Sequence, residues 1–313
     1  MKTQIVLIVV MTLWISFSCR EVDQFVPVED NVPFEFSQEF TGPQDTLTYE
    51  LTISEPIIIR TPKGTEFVFK PEMFVFTNGD YCECDQVSIE IIELDKKRDY
   101  LVHEASTISD GELLVSAGAY HVAAYAKGKP LKLAPGHLAC FWLPSPLLDP
   151  EMKLFYGERT INGFNWTPSD LSSGFASITP GQWQYNDTTD VIVGYQCFSE
   201  RLDWINVDKF VQEGSRNPVC IKLDEAFTGE NTVVFAVLKD EKSILKTKYS
   251  VNDGFCLTNI PVGSEVLLIG IRKSGANQYE MASEFTTIEK NHFQSLNFNP
   301  TDFNEIKNYL ANL

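Results

Sequence analysis

The residues of this chain whose types could do chemistry gather first in one short stretch. Cys82 and Cys84 stand among Asp80, Glu83 and Asp85, just after Asn78-Gly79. Thiolates there, with His103, His121 or His137, could ligate zinc tetrahedrally. The carboxylates could hold calcium, which prefers several oxygen ligands. No second Cys-x-x-Cys and no His-x-x-x-His supports a zinc set, and a carboxylate loop is more often merely solvated, so no metal and no cofactor is expected. A second group is aromatic: Trp142, Trp166, Trp183 and Tyr185, with Phe155, Tyr156 and Phe164 nearby and Asn165 and Gln184 as polar neighbours. Ring faces flanked by amides could stack on a sugar, although such side chains more often fill a core. Gly-x-Ser-x-Gly, His-Glu-x-x-His, a phosphate loop and a dinucleotide fingerprint are all absent. A non-enzymatic protein is therefore expected. The alternative is a hydrolase of surface glycans or peptides, which would need two carboxylates brought together across a deep cleft.

The elements that would position such groups begin at the N-terminus. Lys2 starts a segment in which Ile5 to Ile15 is apolar apart from Thr12, and Ser16-Phe17-Ser18-Cys19 closes it. Charge, apolar run, small residues and a cleavage point in that order read as a secretory signal. The apolar run is too short to span a bilayer, which takes about 20 residues. A cysteine at the cleavage point resembles the lipobox of bacterial lipoproteins. The resemblance implies that residues 1–18 are removed and that Cys19 carries lipid, anchoring the chain in a membrane. Residues 19–48 hold seven acidic residues against Arg20, with Pro27, Pro33 and Pro43, and are expected to form an extended acidic tether. Acidic residues soon after the lipid cysteine resemble the export signal of Bacteroidetes-type surface lipoproteins, which implies an outer-membrane location, displayed outward or facing the periplasm.

The chain has 313 residues and a net charge of -18, with 43% hydrophobic and 12% aromatic residues. This is a folded composition, long enough for about two domains. An acidic field of that size repels nucleic acid, so no nucleic-acid partner is expected. Beyond Cys19, six cysteines remain in a chain read as exported, where disulfides persist. Position alone suggests Cys84–Cys140 and Cys220–Cys256; the alternative is several buried free thiols. Cys82 and Cys84, two apart, would point the same way on a strand, and a bond between them is not expected.

Residues 49–148 read as short strands: Ile57-Ile58-Ile59, Glu66 to Phe69, Val87 to Leu94, Leu113 to Val115, Tyr120 to Ala126 and Leu131 to Leu133. Asn78-Gly79, Asp110-Gly111 and Gly128 punctuate them as turns. This predicts a β-sandwich. Gly64-Thr65, Phe74, Gly79, Ile92-Glu93-Leu94, Asp99, Leu101, Thr107-x-Ser109-Asp110-Gly111, Gly118, Ala123 and Gly128-Lys129-Pro130-Leu131 resemble a sandwich module of Bacteroidetes surface proteins. That module is distantly similar to the sandwich of zona-occludens and netrin-receptor proteins. The matching residues are turn and packing positions, so the resemblance implies fold rather than chemistry. Residues 149–216 are predicted to be an irregular, aromatic-rich connector with long loops. Residues 217–299 return to strands. Asp253-Gly254-Phe255, Ile260-Pro261-x-Gly263 and Val266 to Ile271 resemble the transthyretin-like sandwich of carboxypeptidase regulatory modules. Residues 300–313 form a helix, with Phe303, Ile306, Leu310 and Leu313 on one face and Asp302 and Glu305 in its first turn.

The expected protein is all-β: two β-sandwiches, an irregular segment between them and a short C-terminal helix. The expected role is a lipid-anchored surface binding, adhesion or scaffold module. Its partner would be a surface glycan or an outer-membrane protein. An accessory subunit of an outer-membrane complex is a further alternative, which a large exposed apolar patch would favour.

Overall fold

Thr232–Leu238 is apolar at every position after its first residue, and every side chain in it is buried. A strand with one wet face alternates, so an unbroken run means that both faces are covered. Val234, Ala236 and Leu238 point into the core of the second sandwich. Val233, Phe235 and Val237 point the other way, into a core shared with the first sandwich.

The computed structural model describes residues 34–52, 55–146, 148–160, 163–169, 175–184, 191–211 and 216–313. These are mostly strands in antiparallel, sandwich-like sheets, with short helices at Phe36–Phe40, Lys97–Val102 and Phe303–Ala311. In the first sandwich one sheet runs in the order Leu47–Thr52, Gln86–Leu94, Glu112–Ala126, Asp203–Phe210, Lys153–Thr160, Gly163–Pro168. The facing sheet runs Ser177–Gln184, Val191–Ser199, Ala139–Pro144, Glu66–Phe69, Ile57–Arg60. Val87, Ile89, Ile91, Phe67, Phe141 and Val207 fill the space between them. The second sandwich sets Lys248–Ser250, Gly254–Pro261, Arg216–Ile221 and His292–Gln294 against Ile244–Lys246, Thr232–Leu238, Glu265–Gly275, Gln278–Thr287 and Asn299–Thr301. Gly254 is required where its strand opens. Its φ is +81°, and a Cβ would lie 2.6 Å from the Ile221 carbonyl oxygen.

Two expectations are corrected. Residues 149–216 are not an irregular connector: Lys153–Thr160, Gly163–Pro168, Ser177–Gln184, Val191–Ser199 and Asp203–Phe210 supply strands to both sheets of the first sandwich. Their aromatic residues mark buried strand faces, which composition alone does not distinguish from loop packing. The tether is also shorter than 19–48. Phe34, Phe36 and Phe40 are buried, and Leu47–Thr52 is already strand. Residues 19–33 lie outside the described residues, as does the lipobox with Cys19.

The shared core explains why Phe34–Phe40 folds back. Phe36 stacks on Phe40 at 4.7 Å and meets the Phe235 ring at a tilt, 5.2 Å between centres. Tyr100, Leu101 and Val102 of the Lys97–Val102 helix join them, with Phe155, Trp166 and Trp204 of the first sandwich and Ile306 and Leu310 of the C-terminal helix. Asp302 caps that last helix, accepting from the Asn304 and Glu305 amides at 2.8 and 2.9 Å. Polar bonds border the same seam. Thr107 N donates to the Ile244 carbonyl at 2.8 Å, the Thr107 and Ser243 hydroxyls meet at 2.8 Å, and Lys97 Nζ donates to the Leu238 and Lys239 carbonyls at 2.6 Å. Among the described residues no helix is long and apolar enough to cross a membrane.

Candidate functional site: a groove at a break in the first sheet

Glu112–Ala126 is long enough to take two partners along one edge, end to end. Asp203–Phe210 pairs with it as far as Val122, where Asp203 is the register partner. Lys129–Leu133 takes over at Ala124, opposite Leu131. Ala123 falls in the gap between the two pairings. A groove of about 430 Å³ opens there, lined by His121 to Tyr125, Pro130 to Leu133 and Glu200 to Asp203. That volume suits a small ligand.

The charged wall of the groove is built on a turn whose supports are buried. The Ser199 hydroxyl, fully buried, donates to the Arg201 carbonyl at 2.7 Å and accepts from the Arg201 amide at 3.2 Å. The buried Tyr156 hydroxyl accepts from the Glu200 amide at 3.0 Å. The Arg201 guanidinium lies over the Tyr156 ring, 4.8 Å from its centre. Asp203 follows with φ +81°, in the left-handed region that Asp tolerates better than most residues. This places its carboxylate 3.1 Å from His121 Nε2. The His121 ring rests against Trp204 at 4.9 Å. Thus Arg201, Lys132, His121, Glu200 and Asp203 gather charges of both signs along the groove. The lining holds one hydroxyl, that of Tyr125, and no serine, threonine or cysteine.

A smaller pocket of about 210 Å³ gathers carboxylates and an imidazole: Asp45, Glu93, Asp99 and His103, with Lys63. These groups are committed to structure. Asp99 accepts from the Lys96 and Asp95 amides at 2.9 and 3.1 Å, at the start of the Lys97–Val102 helix, and from Lys63 Nζ at 3.1 Å. Burial works to raise its pKa, but those bonds hold it below the usual value. Asp45 pairs with Arg98 at 2.8 Å. Glu93 accepts from Thr65 at 2.8 Å and Thr61 at 3.1 Å, and burial still raises its pKa.

The residues singled out in sequence do not converge on either pocket, apart from His121 and His103. Trp166 is fully buried in the shared core, 4.9 Å from Phe164, and cannot belong to an exposed platform. Trp142 and Trp183 lie on strands flanking Val191–Ser199, opposite Gln196 and Ile192 respectively. The even offset of four positions along that strand puts both half-buried rings on the same face of the sheet, with the Trp183 ring over Gly194 between them. Tyr185 lies outside the described residues. Cys84 is bonded to Cys82 and not to Cys140, because Cys140 sits on the facing sheet while Cys84 shares a loop with Cys82. Cys220 is bonded to Cys256, its register partner on the neighbouring strand. Cys140 and Cys197 are free; Cys140 pairs in register with Phe198 and Cys197 with Phe141, so the two point to opposite faces of the sheet. Among the described residues no three His, Cys, Asp or Glu side chains gather to hold a metal.

The turn Ser199 to Asp203 carried no signal in sequence beyond a charged pair between two strands. Its importance comes from which strand edge it abuts. Compared with family models, with curated proteins and with solved structures, the chain matches none.

Proposed function

We propose that the protein is a non-enzymatic binding module held at the outer membrane by lipid on Cys19, and that the sheet-break groove binds a short peptide. The observation that carries the groove reading is the one-residue interruption at Ala123, beside which the groove is lined by the buttressed Glu200–Arg201–Asp203 turn and by Lys132. An extended peptide can pair with exposed strand backbone while its charged ends meet opposite charges. Buried supports under the turn reduce the ordering cost of binding. The lipid anchor rests on the N-terminal sequence pattern and its resemblance to bacterial lipoproteins.

Calorimetric titration of the mature chain against di- and tripeptides tests the groove. A peptide ligand is expected to bind, and Arg201→Ala is expected to weaken it by about tenfold or more, as loss of one charge-assisted contact implies. Asp203→Ala should act similarly on the peptide amino terminus. Absence of binding by every peptide, or binding unchanged in both variants, rejects the groove reading. Separately, cells fed a labelled fatty acid should mark the wild-type protein and leave Cys19→Ala unmarked. An unlabelled wild-type chain would remove the anchor.

A further inference from the structure

The two disulfides among the described residues do unequal structural work. Cys220–Cys256 links register partners on adjacent strands of the second sandwich and spans a sequence separation of 36. Cys82–Cys84 spans a separation of 2. The restraint a disulfide places on the unfolded chain grows with the length of the loop it closes, so the second bond restrains almost nothing. The turn that leads into it is shaped without it, by the Phe76 amide bonding to the Asp80 carbonyl at 2.9 Å, by the Gly79 amide bonding to the Phe76 carbonyl at 2.8 Å, and by a backbone bridge between Val75 and Tyr81. The two cysteines are half-buried, packed on the rim of the first sandwich's core, and their neighbours are open to solvent. Tyr81 is 82% exposed, and Glu83 and Asp85 are exposed on either side of Cys84.

We propose that Cys82–Cys84 is a thiol–disulfide exchange site that accepts two electrons from a dithiol. One thiolate of the dithiol attacks one of the two sulfurs. The Cys82–Cys84 bond breaks, a mixed disulfide forms, and the other cysteine leaves as a thiolate that takes up a proton. The second thiol of the reductant then attacks its own sulfur in the mixed disulfide. This releases the second cysteine, which takes up the second proton, and leaves the reductant as a disulfide. Two sulfur–hydrogen bonds and one disulfide have changed hands, and no further oxidant is required. Among the described residues neither free cysteine can intercept the intermediate, since Cys197 is buried and Cys140 lies on the facing sheet. The carboxylates of Asp80, Glu83 and Asp85 repel a reductant that carries further negative charge, so a dithiol without other anionic groups is the fitting class.

The test uses the full mature chain, dithiothreitol as the probe, and alkylation followed by mass spectrometry. Cys82–Cys84 is expected to open at least about tenfold faster than Cys220–Cys256 under native conditions. About one equivalent of dithiothreitol should be consumed while Cys220–Cys256 stays intact and the melting temperature is unchanged. The double variant Cys82→Ser/Cys84→Ser should fold with the wild-type melting temperature and consume none in that phase. Opening of both bonds together, opening only on global unfolding, or Cys82 and Cys84 found as thiols in protein isolated under oxidising conditions would each overturn the proposal.

Discussion

Asp208→Asn is expected to stabilise the protein at pH 8 by about 2–4 kcal/mol, the roughly 5 kcal/mol cost of the buried carboxylate less the cost of an amide N–H left without an acceptor. Asp208 is fully buried beneath the Lys97–Val102 helix. It ends a chain of hydrogen bonds: the Tyr100 and Ser116 hydroxyls meet at 2.6 Å, Ser116 donates to Asn206 Oδ1 at 2.8 Å, and Asn206 Nδ2 donates to Asp208 Oδ2 at 2.5 Å. Its other oxygen, Oδ1, has no partner. Burial pushes this carboxyl from 3.8 up to about 8, against the hydrogen bonds of Ser116 and Asn206. The folded protein therefore keeps a proton that the unfolded chain releases. The favourable term is fully present below 3.8 and is lost as pH rises toward 8, at about 1.4 kcal/mol per pH unit. Asparagine keeps the shape without the proton.

His103 acts in the opposite sense, which makes the prediction sharper. It is buried near Trp204, and Arg159 donates to its carbonyl oxygen. Burial lowers its pKa from 6.5 to about 4, against the nearby charges of Asp45 and Asp99 and helped by those of Arg159 and Arg98. Stability from the neutral imidazole is present above 6.5 and lost as pH falls toward 4. Between about pH 4 and 6.5 the two groups cancel, and between 6.5 and 8 Asp208 acts alone. Urea unfolding of the wild type should thus show stability nearly level over the lower interval and declining over the upper one. Asp208→Asn should rise with pH over the lower interval and then level off. His103→Asn should decline across the whole range. A wild-type profile that climbs from pH 6.5 to 8, or an Asp208→Asn variant with an unaltered slope, would sink this account.

The second large effect concerns the shared core. Phe36→Ala and Phe235→Ala are each expected to destabilise the chain by about 3–5 kcal/mol, the range for deleting a fully buried phenylalanine. Both side chains are buried, at 1% and 0% exposure, and their rings touch. The double variant should lose less than the sum of the two, since the second deletion enlarges a cavity already opened by the first. Because Phe235 and Tyr279 from the second sandwich and Trp166 and Trp204 from the first belong to one cluster, unfolding should remain a single transition followed alike by tryptophan fluorescence and far-ultraviolet dichroism. Two separated transitions in the wild type, or a cost below about 1 kcal/mol for either variant, would show that the sandwiches do not depend on each other.

The all-β class and the C-terminal helix were legible in the order of residues alone. Strand composition, turn residues such as Asn78-Gly79, and the Phe303, Ile306, Leu310 spacing are local signals, and local backbone preference answers to them. Which strands become neighbours is a different matter. The aromatic residues of 149–216 look the same in sequence whether they pad loops or line strands, and only pairing with Glu112–Ala126 and Ala139–Pro144 gives them their place. Phe34, Phe36 and Phe40 sit in a proline-rich, acidic stretch whose average is that of a leash; their burial depends on a surface nearly two hundred residues away. The groove is more remote still from any motif. It exists because two strands from distant parts of the chain stop short of each other along the same edge, a consequence of long-range register that no spacing of residues encodes.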